Sequence, residues 1–488
     1  MKADLRAELL IVGSGAGGSV TALELASAGR EVLVLEEGGR FGLEDYGCSP
    51  PLAMKKLYRR RGMMPILGPV PMAYVEGCCV GGSTEINSGF WQRTPEEFLR
   101  EWQSFYGLAD AGPDDLKPHF ENAEKLLKVG RFTRELPKST QVLAKGMKAL
   151  GWSGEESSRV AVDCANTNSC ASGCPTGAKK GMSRSLIPLA EAKGARIKAN
   201  FRVKNLLLKG TRVVGVIGEQ KNEDGTKAES RIEADDVFVC AGPTETPSLL
   251  RRSGIKHNVG NTLGLHPMLK VVARFPEEIN ADKSVLPLYQ VREFAPEITL
   301  GGAFFSLGHL ALLLGDNWRE TRQLMSQHQY LASYLIVVKG AGKGYVRPCP
   351  LKDQGTMIWY NLSPSDLANL SRGLARLSAL LLAGGAREVY PCVYGLGPIR
   401  SKAQADQWLG KMLSRRNLSL TTVHAFATCP MGERKDLCAA DSFGKVHNFE
   451  NLYLNDASML PGPLGANPQA TIMALARRNA LHFQETKK

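Results

Sequence analysis

Gly13, Gly15 and Gly18 stand in the spacing G-x-G-x-x-G directly after the apolar run Leu9-Leu10-Ile11-Val12, and Glu36 closes a second strand-like run, Glu31-Val32-Leu33-Val34-Leu35. Residues of these types in this order suit one task, the holding of a dinucleotide. Gly13 permits a tight turn, Gly15 lets backbone approach a pyrophosphate, and Gly18 lets a helix lie close to a strand. The N–H groups that open the helix face phosphate charge, and a carboxylate about 20 residues on accepts the hydroxyls of an adenosine ribose. Ser14, Ala16 and Gly17 inside the turn, and Glu37 beside the acid, are further candidate contacts. The stretch leaves open whether the dinucleotide is NAD or FAD.

Three distant stretches have the same character. Residues 77–89, GCCVGGSTEINSG, are rich in glycine and small hydroxyls, so their backbone N–H groups are available to a flat or anionic ligand. The run from Asp236 to Cys240 reads as a buried strand that delivers Ala241 and Gly242 to a ligand. A last strand, Leu452 to Asn455, runs into Asp456-Ala457; residues 461–468, PGPLGANP, then bring Asn467 and Pro468 to the start of a closing helix. Cys164, Cys170 and Cys174 are separated by five and three residues, which fits neither the usual zinc pairs nor ferredoxin runs, so no metal site is expected.

These candidates need particular elements behind them. A helix from about Val20 to Ser27, stopped by Gly29, should join the first two strands. Residues 41–72 read as an irregular connection, and residues 94–150 as polar helices, with Thr94 as N-cap and Pro95 at the first helical position. From 195 to 242 the pattern is strands with hairpin turns near Gly210 and Gly225, followed by a short helix up to Gly254. Leu307–Leu314 reads as ordinary core, with the lining of a greasy substrate channel or a membrane contact as the alternative, and Leu367–Ala383 as a long apolar-rich helix. The closing helix is expected over Ala470–Ala480.

A chain of 488 residues holds two or three domains' worth of core, and its composition is that of a soluble globular protein. The net charge of +13 is not organised into a basic block with interleaved aromatics, which excludes nucleic-acid binding as the reading. No signal peptide is expected, and no run approaches the roughly 18 apolar residues of a spanning helix. Eleven cysteines, an odd number, read as reduced thiols in a cytoplasmic setting.

In order and spacing, GSGAGG with LVLEEGG, GCCVGGSTEINSG and HAFATCPMG…LYLNDASMLPGPLGANPQATIMALA resemble the glucose–methanol–choline (GMC) oxidoreductases over essentially the whole chain. CANTNSCASGCPTGAKKGMSRSLIPLAEAKGARI and VKGAGKGYVRP are most similar to the long-chain fatty alcohol oxidase or dehydrogenase branch. The resemblance implies an α/β fold, α+β overall. A Rossmann-like FAD-binding domain on a parallel sheet (1–92, 155–268 and 415–488) would accompany a substrate-binding domain on an antiparallel sheet with helices (93–154 and 269–414). It also implies that Glu36 binds the adenosine ribose and that Gly81, Gly82, Ser83 and Asn87 lie along the flavin. Asp456 and Ala457 would contact the pyrophosphate end, and the Val203 backbone would meet adenine.

Oxidising an alcohol removes a proton from oxygen and a hydride from carbon, so the site needs a base near the hydroxyl and an electron sink beside the carbon. The sink must be the flavin, and a base working near neutral pH favours histidine. Among the eight histidines, His424 matches the family's base in H-x-x-x-T-x-x-M-G, and Asn467 matches its second active-site position. His266 matches a structural position near the flavin domain. The expected reaction is oxidation of a lipophilic primary or secondary alcohol, passing electrons to oxygen, a quinone or a redox protein, with peripheral membrane contact as a further expectation. A sugar, sugar acid or steroid is the alternative substrate, and a flavin-binding protein without turnover the alternative class.

Overall fold

In the computed structural model, which describes residues 5–350, 355–462 and 464–487, the first apolar run is longer than its sequence suggests, a strand over Leu5–Val12. Only Pro463 of the C-terminal motif lies outside the described residues. A helix at Ala16–Ser27 and a strand at Val32–Leu35 complete the opening unit. The helix begins four residues earlier than expected because the glycine turn itself takes helical geometry from Ala16.

Leu5–Val12 sits at the centre of a seven-stranded sheet, parallel to Val32–Leu35 on one side and to Lys227–Val239 on the other. Arg196–Lys198 extends the sheet beyond Val32–Leu35. The long strand Lys227–Val239 is shared. Its first half pairs antiparallel with Arg212–Lys221, which pairs in turn with Phe201–Lys209, and its last residues pair in parallel with Leu452–Leu454. Leu9, Leu10, Ile11, Val32, Val34, Val237, Val239, Leu452 and Leu454 are all fully buried, as strands covered on both faces require. The first helix and the closing helix, Gln469–Thr486, pack on each other.

A second sheet has eleven strands and is mostly antiparallel. Met268–Arg274 lies near its middle, flanked by Leu331–Val338, which pairs with Ile298–Gly302 and through it with Tyr289–Val291. The helix Pro364–Ala383 covers this sheet and starts in a capping box, Ser363 Oγ accepting from Asp366 N and Asp366 Oδ2 accepting from Ser363 N. Each sheet has its own apolar core. The strands Met64–Leu67, Met72–Tyr74 and Leu420–Thr422 belong to the second sheet, whereas the helices Glu96–Tyr106 and Pro113–Leu127 pack against the core of the first.

Three local expectations are corrected. Residues 41–72 are not an irregular connection but hold a helix, Pro50–Leu57, and the strand Met64–Leu67, with Met72–Tyr74 starting at their end. Pro95, not Thr94, caps the helix at Glu96, because the Thr94 hydroxyl is engaged with Thr471 Oγ1 of the closing helix. Leu307–Leu314 is a helix with one buried face rather than plain core: Leu310 and Leu314 are buried, but Leu312 is 78% exposed. Among the described residues no helix is long and apolar enough to cross a membrane.

Candidate active site

Four parallel strands of the first sheet end side by side, at Val12, Leu35, Val239 and Leu454. The crevice beyond the carboxyl ends of such strands is where α/β sheets bind ligands. Here it opens into a cavity of about 590 Å³ that continues onto one face of the second sheet. Gly13, Ser14, Gly15, Ala16, Gly17, Glu36, Glu37, Gly82, Ser83, Asn87, Val203, Ala241, Gly242, His424, Asp456, Ala457, Asn467 and Pro468 all line it. Gly18 and Gly81 do not; they shape the wall from behind. A Cβ at Gly18 would stand 2.0 Å from Gly13 O, so the helix lies on the strand only because no side chain is there. Gly81 N donates to Ser14 Oγ at 3.1 Å, tying the 77–89 stretch to the glycine turn.

The turn separates two kinds of glycine. Gly13 has φ +101°, and a Cβ on it would be 2.3 Å from Cys240 O. A Cβ on Gly15 would meet nothing within 4 Å, so its backbone is open to the cavity. Glu36 is buried at one end, where its Oε2 accepts from Ser14 N at 3.0 Å and Ser14 Oγ at 2.7 Å, and its Oε1 from Gly38 N at 2.8 Å. Burial dominates and raises the Glu36 pKa, against the lowering effect of these hydrogen bonds. Asp456 is also buried and raised, and its carboxylate serves the protein itself: it accepts from Gly242 N, Thr246 Oγ1 and Ser458 N at 2.8, 2.5 and 2.7 Å.

Several residues that no sequence pattern singles out join this wall. Arg59 bridges Glu37 at 2.7 Å and Glu76, and Arg202 lies 3.1 Å from Glu37. Behind the 77–89 stretch, the fully buried ammonium of Lys179 donates to Glu85 O, Asn87 O and Cys170 O at 2.7, 2.8 and 3.1 Å. The cysteine-rich segment thus acts as a brace for that stretch; Cys164 and Cys170 pack in a small apolar cluster with Phe132 and Leu288.

Where the cavity reaches the second sheet, His424 Nδ1 lies 3.0 Å from His266 Nδ1. His266 Nε2 is 2.5 Å from Leu464 O. A carbonyl only accepts, so His266 carries its proton on Nε2 and presents an acceptor at Nδ1. His424 Nδ1 must then be the donor, which leaves His424 Nε2 as a free lone pair. Burial, and then the neighbouring His266, push the His424 pKa well below the ordinary 6.5; burial pushes His266 down to about 4. His424 Nε2 and the Asn467 side-chain amide have no hydrogen-bond partner among the described residues.

Two models of the GMC oxidoreductase family match the chain, one over residues 8–268 and the other over residues 344–476. The chain belongs to the GMC oxidoreductases. FAD is the cofactor of this family, and the enzyme is an oxidoreductase acting on CH–OH groups. Among relatives, a GMC-type oxidoreductase of Sinorhizobium fredii is 37% identical over 98% of this chain and 94% of its own length. A long-chain-alcohol oxidase of Arabidopsis thaliana is 26% identical over 97% of this chain and 66% of its own. The GMC fold recurs in the crystal structure of pyridoxine 4-oxidase from Mesorbium loti, with 18% identity, a TM-score of 0.70 and coverage of 98% and 99% of the two chains. Formate oxidase gives 16% identity and a TM-score of 0.73, with coverage of 100% and 99%.

Proposed function

We propose that this GMC oxidoreductase oxidises a lipophilic alcohol to an aldehyde or ketone, with His424 as the base and Asn467 orienting the substrate oxygen. The observation that carries this reading is the pair of unpartnered groups in one wall, His424 Nε2 and the Asn467 amide, backed by a hydrogen-bond chain that keeps the His424 proton on the far nitrogen. In this reading His424 Nε2 accepts the hydroxyl proton while Asn467 holds the oxygen in line. Bound FAD supplies the hydride acceptor, which no side chain can provide.

The glycine turn from Gly13 to Gly18, with Glu36 and Glu37, would hold the adenosine and pyrophosphate, Val203 backbone would meet adenine, and Gly81, Gly82, Ser83 and Asn87 would follow the flavin. Asp456-Ala457, with Ala241, Gly242 and Pro468, would close the pyrophosphate end. Support comes from backbone open to the cavity at Gly15 and Gly242, where a Cβ would meet nothing within 4 Å. The first sheet would form the larger part of a FAD domain and the second sheet a substrate domain, with residues 64–74 and 420–422 assigned to the latter.

The lipophilic substrate is supported by the wall formed by Met268, Leu335, Val337, Phe304 and Leu286, and by Leu312 and Val423, which line the cavity while 78% and 50% exposed. Such residues form an apolar entrance, suited to a substrate arriving from a membrane surface. Anaerobic titration of the holoenzyme with a panel of alcohols tests the reading. Bleaching of the flavin by long-chain alcohols is the expected result, and bleaching by sugars alone would refute it. Reoxidation with air, a quinone or a redox protein then identifies the acceptor in a cytoplasmic or membrane-surface setting.

A further inference from the structure

Resting on that reading of the substrate cavity, we infer that the substrate carries a carboxylate at some distance from its hydroxyl, and that Lys270 is the residue that receives it.

Lys270 lies on the strand Met268–Arg274, whose cavity face is built in cross-strand rungs. Met268 pairs with Val337 and Val337 with Thr299; one rung further, Lys270 pairs with Leu335, Leu335 with Gly301, and Gly301 with Gln290. Every one of these residues lines the cavity. This face is therefore apolar or neutral except at Lys270. The carboxylates that line the cavity, Glu36, Glu37, Glu76, Glu245 and Asp456, belong to its other end, around the glycine turn and the Arg59 network.

The Lys270 ammonium makes no hydrogen bond or ion pair with any described residue; the backbone carbonyl accepts from Cys392 N at 3.1 Å. Its nearest ionisable neighbours are the Cys392 thiol and His309, and the latter already shares a 2.8 Å hydrogen bond with Ser306 Oγ. Lys270 is part-buried, and an ammonium held against an apolar wall without a partner is costly. The fully buried Lys179, by contrast, has three carbonyl acceptors. An unpaired cation facing a cavity is completed by an anion from outside the chain. Lys270 is four residues on from His266, so their backbones lie within about 14 Å of each other, and Lys270 and His424 border the same cavity. A hydroxyl at His424 and a carboxylate at Lys270 are then joined by an apolar stem along Val337 and Leu335, which describes a hydroxy fatty acid better than a simple alcohol.

The test uses the holoenzyme and two probes: decanoate, which has no hydroxyl to oxidise, and its ω-hydroxy derivative compared with decan-1-ol. Decanoate should bind the wild type, read as a perturbation of the flavin spectrum. Lys270→Met should weaken that binding by about 10- to 100-fold, the range of a charge-assisted hydrogen bond, and Lys270→Arg should restore most of it. The preference in kcat/KM for the hydroxy acid over decan-1-ol should collapse in Lys270→Met through KM. Decanoate binding that is equal in wild type, Lys270→Met and Lys270→Arg would overturn the assignment. If no alcohol reduces the flavin but decanoate binding still depends on Lys270, the alcohol-oxidising reading fails while the anion site stands.

Discussion

His424 and His266, 158 residues apart in sequence, face each other through their Nδ1 atoms at 3.0 Å, and the Leu464 carbonyl beyond them fixes the direction of both protons. Replacing His424 by Ala removes the lone pair that this chain presents. Flavin reduction by an alcohol should slow by about 10²–10⁴-fold, the usual contribution of a general base, with the visible flavin spectrum retained. Single-turnover bleaching measures both, and a wild-type rate in the variant would remove His424 from the mechanism.

If His424 is the base, His266 acts through it, and its substitution should show in a pH profile. Because the His424 pKa sits well below 6.5, the base is unprotonated throughout the neutral range and the acid limb of kcat/KM lies below pH 6.5. His266→Gln removes the ring whose presence helps to depress His424, so the limb should move up toward 6.5. A limb that stays in place would mean that the two rings are merely neighbours.

The same histidine makes stability depend on pH. Folded His266 titrates at about 4 and an unfolded histidine near 6.5, so between these values the unfolded chain binds more protons. Stability should be at its full value above 6.5 and fall as pH drops toward 4, by at most about 1.4 kcal/mol per pH unit from this residue. Melting curves across that window should be flatter for His266→Gln than for wild type.

Gly13 and Gly15 should fail differently. Ala at Gly13 combines φ +101° with a Cβ 2.3 Å from Cys240 O, so the apoprotein should lose several kcal/mol, about 1–2 from the backbone alone. Ala at Gly15 meets nothing within 4 Å, so apoprotein melting should be unchanged while FAD affinity drops. Thermal melts with and without FAD separate the two outcomes.

Glu36→Gln keeps the volume and removes the carboxylate. FAD affinity should fall by about 10- to 100-fold, the range of hydrogen bonds to a charged acceptor, with kcat unchanged at saturating FAD. Equal affinity in wild type and variant would place the ribose elsewhere.

What was legible in the chain follows the range over which each signal acts. The glycine turn, the strand on each side of it and Glu36 lie within a few dozen residues, and their spacing carries their geometry. The packing of Gly18 against Gly13 O follows from the same spacing. The histidine pair was half legible: His424 has a motif, but the hydrogen bond it donates to His266 depends on a residue 158 positions away and on Leu464. Leu307–Leu314 was misread because a run this short and this rich in leucine has no period to measure, and only the fold tells the buried Leu310 from the exposed Leu312. Lys270 had no signal at all. In sequence it is one polar residue in a half-apolar strand, and its isolation emerges only when Leu335, Gly301 and Gln290 from other strands surround the same face.

Asn455 lends its side-chain amide to Thr21 Oγ1 and Ala476 O, and its carbonyl stands 1.8 Å from where a Cβ on Gly17 would be. The nucleotide turn at the start of the chain is thus pressed against a strand made more than 400 residues later. During synthesis the ribosome releases a complete glycine turn early, but the wall formed by Asp456 to Ile472 does not yet exist. A nascent chain halted before that point carries the glycine turn without the wall that completes the cavity.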